Sequence, residues 1–141
     1  MFEQAVGQRR VTVGIDLVRI RRIAASLTEF GERFLRRVFT DAEVAHATAS
    51  PALTAERLAA RFAAKEAAMK ALGLAERGAG WRQIEVTRQP SGMCRLSLHD
   101  AAREAADESG VVDLAVSLSR EGDYAVAIVV ATRNHREVAH T

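Results

Sequence analysis

The chain has 141 residues, of which 48% are hydrophobic and 27% charged, and its formal net charge at pH 7 is +2. These values predict one soluble, globular domain with its own core, and no apolar run approaches the length of a signal peptide or a transmembrane helix. The single cysteine excludes an intrachain disulfide and a cysteine-based metal site, so we expect a reducing, cytoplasmic location.

The chain is predicted to begin with a strand and two short helices. Residues 11–18 are short and β-branched around Gly14, which is typical of a strand. Residues 19–27 and 29–38 place apolar side chains at helical spacing and basic side chains on the other faces.

Two further helices are predicted before the middle of the chain. Thr40 and Glu43 have the spacing of a capping box, so a helix is expected to begin there and to be interrupted at Pro51. A long helix follows over residues 54–72 and is expected to end at Gly73.

The second half of the chain predicts hairpins. Strands are expected at residues 81–88, 94–98, 111–119 and 124–132, with a turn at 89–92 and a helix at 99–109. The strand at 124–132 is nearly all apolar, which predicts a central position. This order indicates an α+β fold in which a mainly antiparallel sheet packs against the long helix. We assign residues 11–132 to a single domain, 1–10 to an N-terminal extension and 133–141 to a C-terminal tail.

The only two lysines among the 20 basic residues, Lys65 and Lys70, lie in the long helix on either side of Glu66. An ammonium is a compact point charge and does not substitute for a planar guanidinium. The lysines therefore reflect either an arginine-biased composition or two positions where an ammonium meets a phosphorylated ligand.

The long helix has large apolar residues along one stripe and alanines on the opposite face, so its neighbours are expected to cover most of it. Charges on a covered helix cost free energy unless they are paired or lie in a solvated cleft. Glu66 and Lys70, four residues apart, form either an ordinary helical ion pair worth about 0.2–0.5 kcal/mol or a cation ligand beside a phosphate-binding ammonium. Asp16 interrupts an apolar strand, where it either caps the next helix or joins Glu66 in holding Mg²⁺.

Several segments in one order resemble the holo-acyl-carrier-protein synthases, the small single-domain 4′-phosphopantetheinyl transferases. They are GIDLVRI at residues 14–20, RFAAKEAAMKALG at 61–73, PSG at 90–92, VSLS at 116–119 and YAVA at 124–127. The resemblance covers residues 11–132. It implies transfer of the phosphopantetheine arm from coenzyme A to a serine of an acidic apo acyl carrier protein, with release of adenosine 3′,5′-bisphosphate. Whether that carrier serves fatty-acid or polyketide synthesis is left open.

The resemblance also implies roles for individual residues. Asp16 and Glu66 match the Mg²⁺ ligands and Lys70 the phosphate-neutralising lysine, and all three are the candidate catalytic residues. Glu66, or a water bound to the metal, is the candidate general base. The positions implied to line the coenzyme A cleft are Arg61, Lys65, Lys70, Pro90, Ser91, Gly92 and Arg120. The family forms trimers with active sites between subunits, and Arg22 and Arg33 match its carrier-protein dock.

Two departures from the family pattern keep a second hypothesis open. Arg120 stands where the family usually has histidine, and an arginine holds a phosphate but does not act as a base. Cys94 stands where proline commonly follows the turn. A non-catalytic relative that binds carrier protein or coenzyme A without transfer is therefore the alternative function.

Two remaining groups of side chains were weighed. The arginines of residues 19–37 form either a solvated helix face or a dock for an acidic partner; we expect neither a nucleic acid nor a membrane as partner. The four histidines show no metal-ligand spacing and are expected to be surface residues. They are His46, His99, His135 and His140.

Overall fold

The computed structural model describes residues 9–134, and these form five strands and five α-helices. The elements are β1 (Arg9–Arg19), α1 (Ile20–Phe30), α2 (Glu32–Val38), α3 (Asp41–Thr48), α4 (Thr54–Leu72), β2 (Ile84–Arg88), β3 (Cys94–Leu98), α5 (Asp100–Glu108), β4 (Val111–Glu121) and β5 (Tyr124–Asn134). No helix among these residues is both long and apolar enough to cross a membrane.

The strands form two antiparallel sheets. One has the order β1-β5-β4, and the other is the β2-β3 hairpin. The central position predicted for β5 from its apolar sequence is confirmed. Helix α4 packs against β1 and β5, and its buried residues form the middle of the core. The predicted α+β class, with an antiparallel sheet packed on a long helix, is confirmed.

The predicted bounds of the long helix are confirmed. It runs over Thr54–Leu72 and ends where Gly73 adopts a left-handed conformation with φ 65°. The Gly73 N–H donates to the Met69 carbonyl, which closes the last turn. The capping box at Thr40 and Glu43 is also present, and α3 begins at Asp41, directly after Thr40.

The strand predicted at residues 81–88 is wrong in its first part. Trp81–Gln83 is a short 3₁₀ segment, and β2 begins only at Ile84. The Trp81 ring packs against Phe62 of α4 with centroids 5.2 Å apart. This tertiary contact, rather than the local alternation of side chains, determines the backbone there.

The first and the last strand of the chain extend beyond the predicted domain limits. Strand β1 already includes Arg9 and Arg10, and β5 continues through Asn134. The rest of the predicted extension and tail lies outside the described residues.

The approach of β1 to α4 requires glycine at position 14. A Cβ atom there would lie 1.9 Å from the Ala67 carbonyl oxygen and 2.9 Å from the Ala71 nitrogen. Because both obstacles are backbone atoms, we expect Gly14→Ala to destabilise the fold by at least about 1–3 kcal/mol, measured as a lower urea midpoint. Gly80→Ala is the control, since its Cβ would meet only the Gln83 side chain at 3.9 Å. Equal midpoints for both variants would contradict the tight approach.

Candidate active site

The middle of β1 and the second half of α4 bring three predicted site residues together. The ammonium of Lys70 lies 3.2 Å from Asp16 Oδ1 and donates to the Ile15 carbonyl oxygen at 3.0 Å. The Lys70 side chain is 55% exposed and that of Asp16 is 18% exposed. Glu66 lies one helical turn before Lys70, so it shares the same face of α4. The site is therefore open to solvent on one side.

Two carboxylates face a single ammonium at this position. The pKa of Glu66 is raised because the side chain is partly buried and because the Asp16 carboxylate is near, while Lys70 and Arg22 oppose the rise. Lys70 pairs with Asp16 rather than with Glu66, so the simple helical ion pair is not what the described residues show. A cation held between the two carboxylates would offset the repulsion between them, which Lys70 and Arg22 oppose only in part.

The donors at this site fit a magnesium ion that is shared with a substrate. Among residues 9–134 no group of three or more histidine, cysteine or acidic side chains is placed to hold a metal by itself. Mg²⁺ is usually held by one or two carboxylates, and phosphate oxygens and waters complete its shell. Asp16 and Glu66 supply that number of carboxylates, on the face where a phosphorylated ligand has access.

A second group of predicted residues lines a cleft of about 530 Å³ beside the first half of α4. Arg61, Gly92 and Arg120 line it together, as expected for a ligand cleft. Pro90 and Ser91 are exposed in the adjoining turn, outside the lining. The cleft also contains two arginines that the sequence analysis did not single out, and these are Arg57 and Arg88.

The charge of Arg61 has no carboxylate partner in the described part of the chain. Arg61 is only 4% exposed, and its Nη1 donates to the Arg57 carbonyl at 3.2 Å. Its Nε is buried and makes no hydrogen bond within residues 9–134. Burial lowers the pKa of this guanidinium. A buried cation with an unused donor indicates that the cleft is built to receive an anion.

The expectation that His46 is a surface residue is wrong. Its ring is half-buried near Arg57 and Arg61, and its Nε2 is buried without a hydrogen bond in the described residues. Burial lowers the pKa of His46, and these arginines and Arg88 lower it further. His99 is exposed as predicted and contacts Glu85 at 3.0 Å. The remaining two, His135 and His140, lie outside the described residues.

Lys65 does not line the cleft in this structure, which corrects the role that the resemblance implied. Its side chain is fully buried, with the ammonium 2.7 Å from Glu43 Oε1 and 3.0 Å from the Trp81 carbonyl. It also donates to the Ile84 carbonyl. These three acceptors use all three protons of an ammonium, so Lys65 is charged although burial lowers its pKa; the Glu43 carboxylate opposes that effect.

Glu43 joins the start of α3 to the β2-β3 hairpin. Its Oε1 accepts from the Thr40 N–H at 2.9 Å and its Oε2 from the Val86 N–H at 2.8 Å. The capping box identified Glu43 as a helix-start residue. Its second role as the partner of Lys65 had no signal in the local sequence, because that partner is on another helix.

The arginines of α1 and α2 are exposed, and two of them form ion pairs with acidic side chains of the described residues. Arg21 pairs with Asp123 and Arg36 with Glu32, each at 3.2 Å. Arg22 and Arg33, the two predicted docking residues, have no ion pair among the described residues. The charge of Arg22 acts on Glu66, so this basic surface adjoins the carboxylate site.

The chain matches a known protein family. The model of the 4′-phosphopantetheinyl transferase superfamily matches residues 12–129. A holo-[acyl-carrier-protein] synthase of Herpetosiphon aurantiacus is 45% identical over 127 residues, which cover 85% of this chain and 97% of that protein. One from Moorella thermoacetica is 45% identical over 124 residues, covering 88% and 95%.

Solved structures show the same fold. The apo enzyme of Chronobacterium ammoniagenes superposes with a TM-score of 0.79 at 34% identity and covers 91% of this chain and 100% of that one. The complex of that enzyme with coenzyme A gives a TM-score of 0.76 at 36% identity, covering 90% and 99%. The chain therefore belongs to the 4′-phosphopantetheinyl transferase superfamily and, within it, to the holo-acyl-carrier-protein synthases.

Proposed function

We propose that this chain transfers the 4′-phosphopantetheine arm of coenzyme A to a serine of an apo acyl carrier protein and releases adenosine 3′,5′-bisphosphate. The observation that carries the proposal is the carboxylate pair of Asp16 and Glu66 with the Lys70 ammonium beside it. Arg61 precedes Glu66 by five residues on α4, which is about 7.5 Å along the helix axis. It lines the second, arginine-rich cleft. A ligand with a diphosphate and a further phosphate on one nucleotide fits these two charged positions.

The reaction is a displacement at phosphorus. The serine oxygen forms a bond to the phosphorus that carries the pantetheine arm, and the bond to the oxygen bridging the diphosphate breaks. Such a transfer depends on positioning and on neutralising charge at the phosphoryl oxygens. Lys70 supplies one positive charge at the diphosphate. A Mg²⁺ ion held by Asp16 and Glu66 would supply the rest of the charge compensation.

Glu66 is the side chain best suited to accept the serine proton. In the metal-free protein the pKa of Glu66 is raised, which is the direction that favours a general base, whereas a bound Mg²⁺ would oppose that rise. This role stays a proposal, with a water near the carboxylates as the other candidate.

The nucleotide end of coenzyme A is assigned to the cleft of Arg61 and Arg120. Arg61 lines this cleft without an ion pair in the described residues, and Arg120 is held by Glu56 with Nε 3.3 Å from Oε2. Both groups suit a phosphate, which needs donors and positive charge but no base, so arginine in place of the usual histidine is compatible with binding. Gly92 lines the same cleft, and the exposed turn of Pro90 and Ser91 adjoins it.

The direct test is to incubate the protein with coenzyme A, Mg²⁺ and an apo carrier protein, and to weigh the carrier intact by mass spectrometry. A gain of one phosphopantetheine arm that chelator abolishes is the expected result. No gain with several carriers, beside a control enzyme that modifies them, would overturn the transferase and favour the non-catalytic alternative.

The basic surface of α1 and α2 is proposed to dock the acidic carrier protein. Because Arg33 is exposed and has no ion pair in the described residues, a carboxylate there would repel an acidic partner. We expect Arg33→Glu to raise the KM for the carrier about tenfold or more while the KM for coenzyme A stays unchanged. Arg95→Glu, on the exposed side of β3, is the matched charge reversal; an equal rise in that variant would contradict the dock.

An exposed apolar face on the three-stranded sheet supports the proposed homotrimer. Four aliphatic side chains of β1 and one of β5 are more than a third exposed, and contiguous apolar surface of this kind marks an interface. They are Val11, Val13, Ile15, Leu17 and Ile128. Asp16 belongs to the same strand but points to the other side of the sheet, towards α4. A cytoplasmic location is proposed with it, in keeping with the single cysteine.

Placing a charge on this face tests the trimer. We expect Ile15→Glu to convert a trimeric mass to a monomeric one in light scattering, because a carboxylate in an apolar interface is strongly disfavoured. Activity is expected to fall with it, since the active sites are proposed to lie between subunits. Ala45→Glu on α3 is the exposed control. An unchanged mass for Ile15→Glu would contradict an interface on this face.

A further inference from the structure

We propose that Cys94 is a reversible modification site that takes small anionic disulfides, forming a mixed disulfide inside the arginine-lined cleft. The mixed disulfide is expected to abolish coenzyme A binding, and this consequence rests on the proposed function. The modification itself does not.

The thiol lies inside the cleft and beside an arginine. Cys94 is free, partly exposed, and one of the residues that line the cavity of about 530 Å³. In the hairpin register it lies directly opposite Arg88. Cross-strand neighbours of this kind share one face with Cβ atoms about 4.5–5.5 Å apart. The Arg88 guanidinium and the thiol therefore open into the same space.

The charge of the cleft selects for anions. Its lining includes four arginines and one acidic residue, Glu56, which is already paired with Arg120. Arg57, Arg61 and Arg88 form no ion pair within the described residues. Arg61, which lines the cleft, is 4% exposed, has no ion pair in that part of the chain and leaves its Nε without a hydrogen bond there, so its charge is left for an anion in the cleft to balance. A thiolate at Cys94 also acts on Arg61, where it opposes the lowering of that pKa by burial.

The chemistry is thiol–disulfide exchange. The Cys94 thiol gives its proton to solvent, and Sγ attacks one sulfur of the small disulfide. A bond forms between Sγ and that sulfur while the original disulfide bond breaks, and the leaving thiolate takes up a proton. Cys94 is oxidised to the mixed disulfide and half of the reagent is reduced to a thiol. A reducing thiol reverses the exchange.

An adduct at this position would obstruct the cleft. A cavity of this size is within the range that accommodates one small ligand, so a tripeptide attached to Cys94 would occupy the place assigned to the nucleotide. The guanidinium groups would hold its carboxylates. The same charges that favour coenzyme A would then favour the modification.

The test compares two disulfides of opposite charge on the folded, full-length protein. Oxidised glutathione is the anionic probe and cystamine the cationic one, and intact mass follows adduct formation with time. We expect a single adduct that dithiothreitol removes, that is absent in Cys94→Ser, and that forms about tenfold or more faster with oxidised glutathione than with cystamine. At about 1 M salt this preference is expected to diminish, because exposed charges are then screened.

Two arginines of the hairpin provide a matched comparison. Arg88→Gln is expected to reduce the preference for the anionic probe. Arg95→Gln is expected to leave it unchanged, because Arg95 is next to Cys94 on β3 but points to the other face and lines a different cavity. Equal rates for the two probes, or no adduct on the folded protein when the unfolded protein is labelled, would overturn the proposal.

Coenzyme A separates this inference from the proposed function. If both are correct, coenzyme A slows the labelling of Cys94, and transfer activity falls in step with the adduct in the native chain but is unaffected by the reagent in Cys94→Ser. Labelling with the expected charge preference, but without protection by coenzyme A, would support the modification site and contradict the assignment of this cleft to coenzyme A.

Discussion

Lys65→Met is expected to destabilise the fold by about 3–5 kcal/mol, because it leaves the Glu43 carboxylate buried without a counter-charge. The structure places both side chains fully out of solvent, 2.7 Å apart. The substitution also leaves the Trp81 and Ile84 carbonyl oxygens without the donor that they share. Denaturation in urea followed by circular dichroism measures the change.

The double variant Glu43→Gln, Lys65→Met separates loss of charge balance from loss of packing. It removes both charges, and the glutamine amide oxygen keeps an acceptor for one of the Thr40 and Val86 N–H groups, while its NH₂ group faces the other. We therefore expect it to recover more than half of the stability that the single variant loses, since removing both partners of a buried pair costs less than removing one. Native stability in Lys65→Met, together with a raised KM for coenzyme A, would show instead that Lys65 contacts the ligand as the resemblance implied.

Glu66→Gln is expected to lower the rate of transfer by about 10²- to 10⁴-fold, because it removes a proposed metal ligand and the candidate base. Glutamine keeps the shape of the side chain, so the fold is expected to remain intact. Single-turnover assays at saturating coenzyme A and carrier protein measure the rate. Glu104→Gln on α5, exposed and far along the chain from the site, is the control. A native rate in Glu66→Gln would refute both roles.

The same variant is expected to be more stable than the native protein when metal is absent. The pKa of Glu66 is raised in the folded state, because burial and the Asp16 charge disfavour ionisation. The folded state is therefore favoured relative to the unfolded state below the ordinary pKa of 4.5, and that advantage is lost as pH rises through the folded pKa.

Glutamine does not ionise, so this loss is absent in the variant. The melting temperature of Glu66→Gln in chelator should exceed that of the native chain at neutral pH, and the difference should shrink as pH falls through the raised folded-state pKa towards 4.5 and be absent below that value. A difference in melting temperature that does not change with pH would show that ionisation of Glu66 is not its cause. Together with the rate, this result would show that Glu66 is placed for function at a cost in stability.

Local patterns predicted most elements of the fold well. Gly73 and the capping box at Thr40 determine where α4 ends and where α3 begins, because backbone hydrogen bonds at helix ends are satisfied by nearby residues. The strand expected from Trp81 fails because the ring packs against Phe62, a contact that no local window contains. The central position of β5 was predicted from its nearly all-apolar sequence and is confirmed, although one of its faces is open in this chain, with Ile128 39% exposed.

The site was predicted unevenly. Asp16, Glu66 and Lys70 follow from the family motifs, and the structure brings them together. Arg57 and Arg88 were missed because the cleft assembles from α4 and the hairpin, which are separate in the sequence. Arg57 precedes Arg61 by one helical turn, and this spacing was the one available signal.

The sequence by itself determined the family, the order of helices and strands and, through the family motifs, the two carboxylates and the ammonium that are proposed to act on a phosphorylated substrate. These depend on motifs and on local backbone preferences. Only the tertiary structure decided that Lys65 and Lys70, five residues apart on one helix, have different surroundings and different partners. Lys70 faces the open edge of β1, whereas Lys65 faces the interior, where Glu43 and two carbonyl oxygens are its partners. The physical reason is burial, because an ammonium out of water must be paired within the protein, and only packing decides which side of a covered helix water reaches.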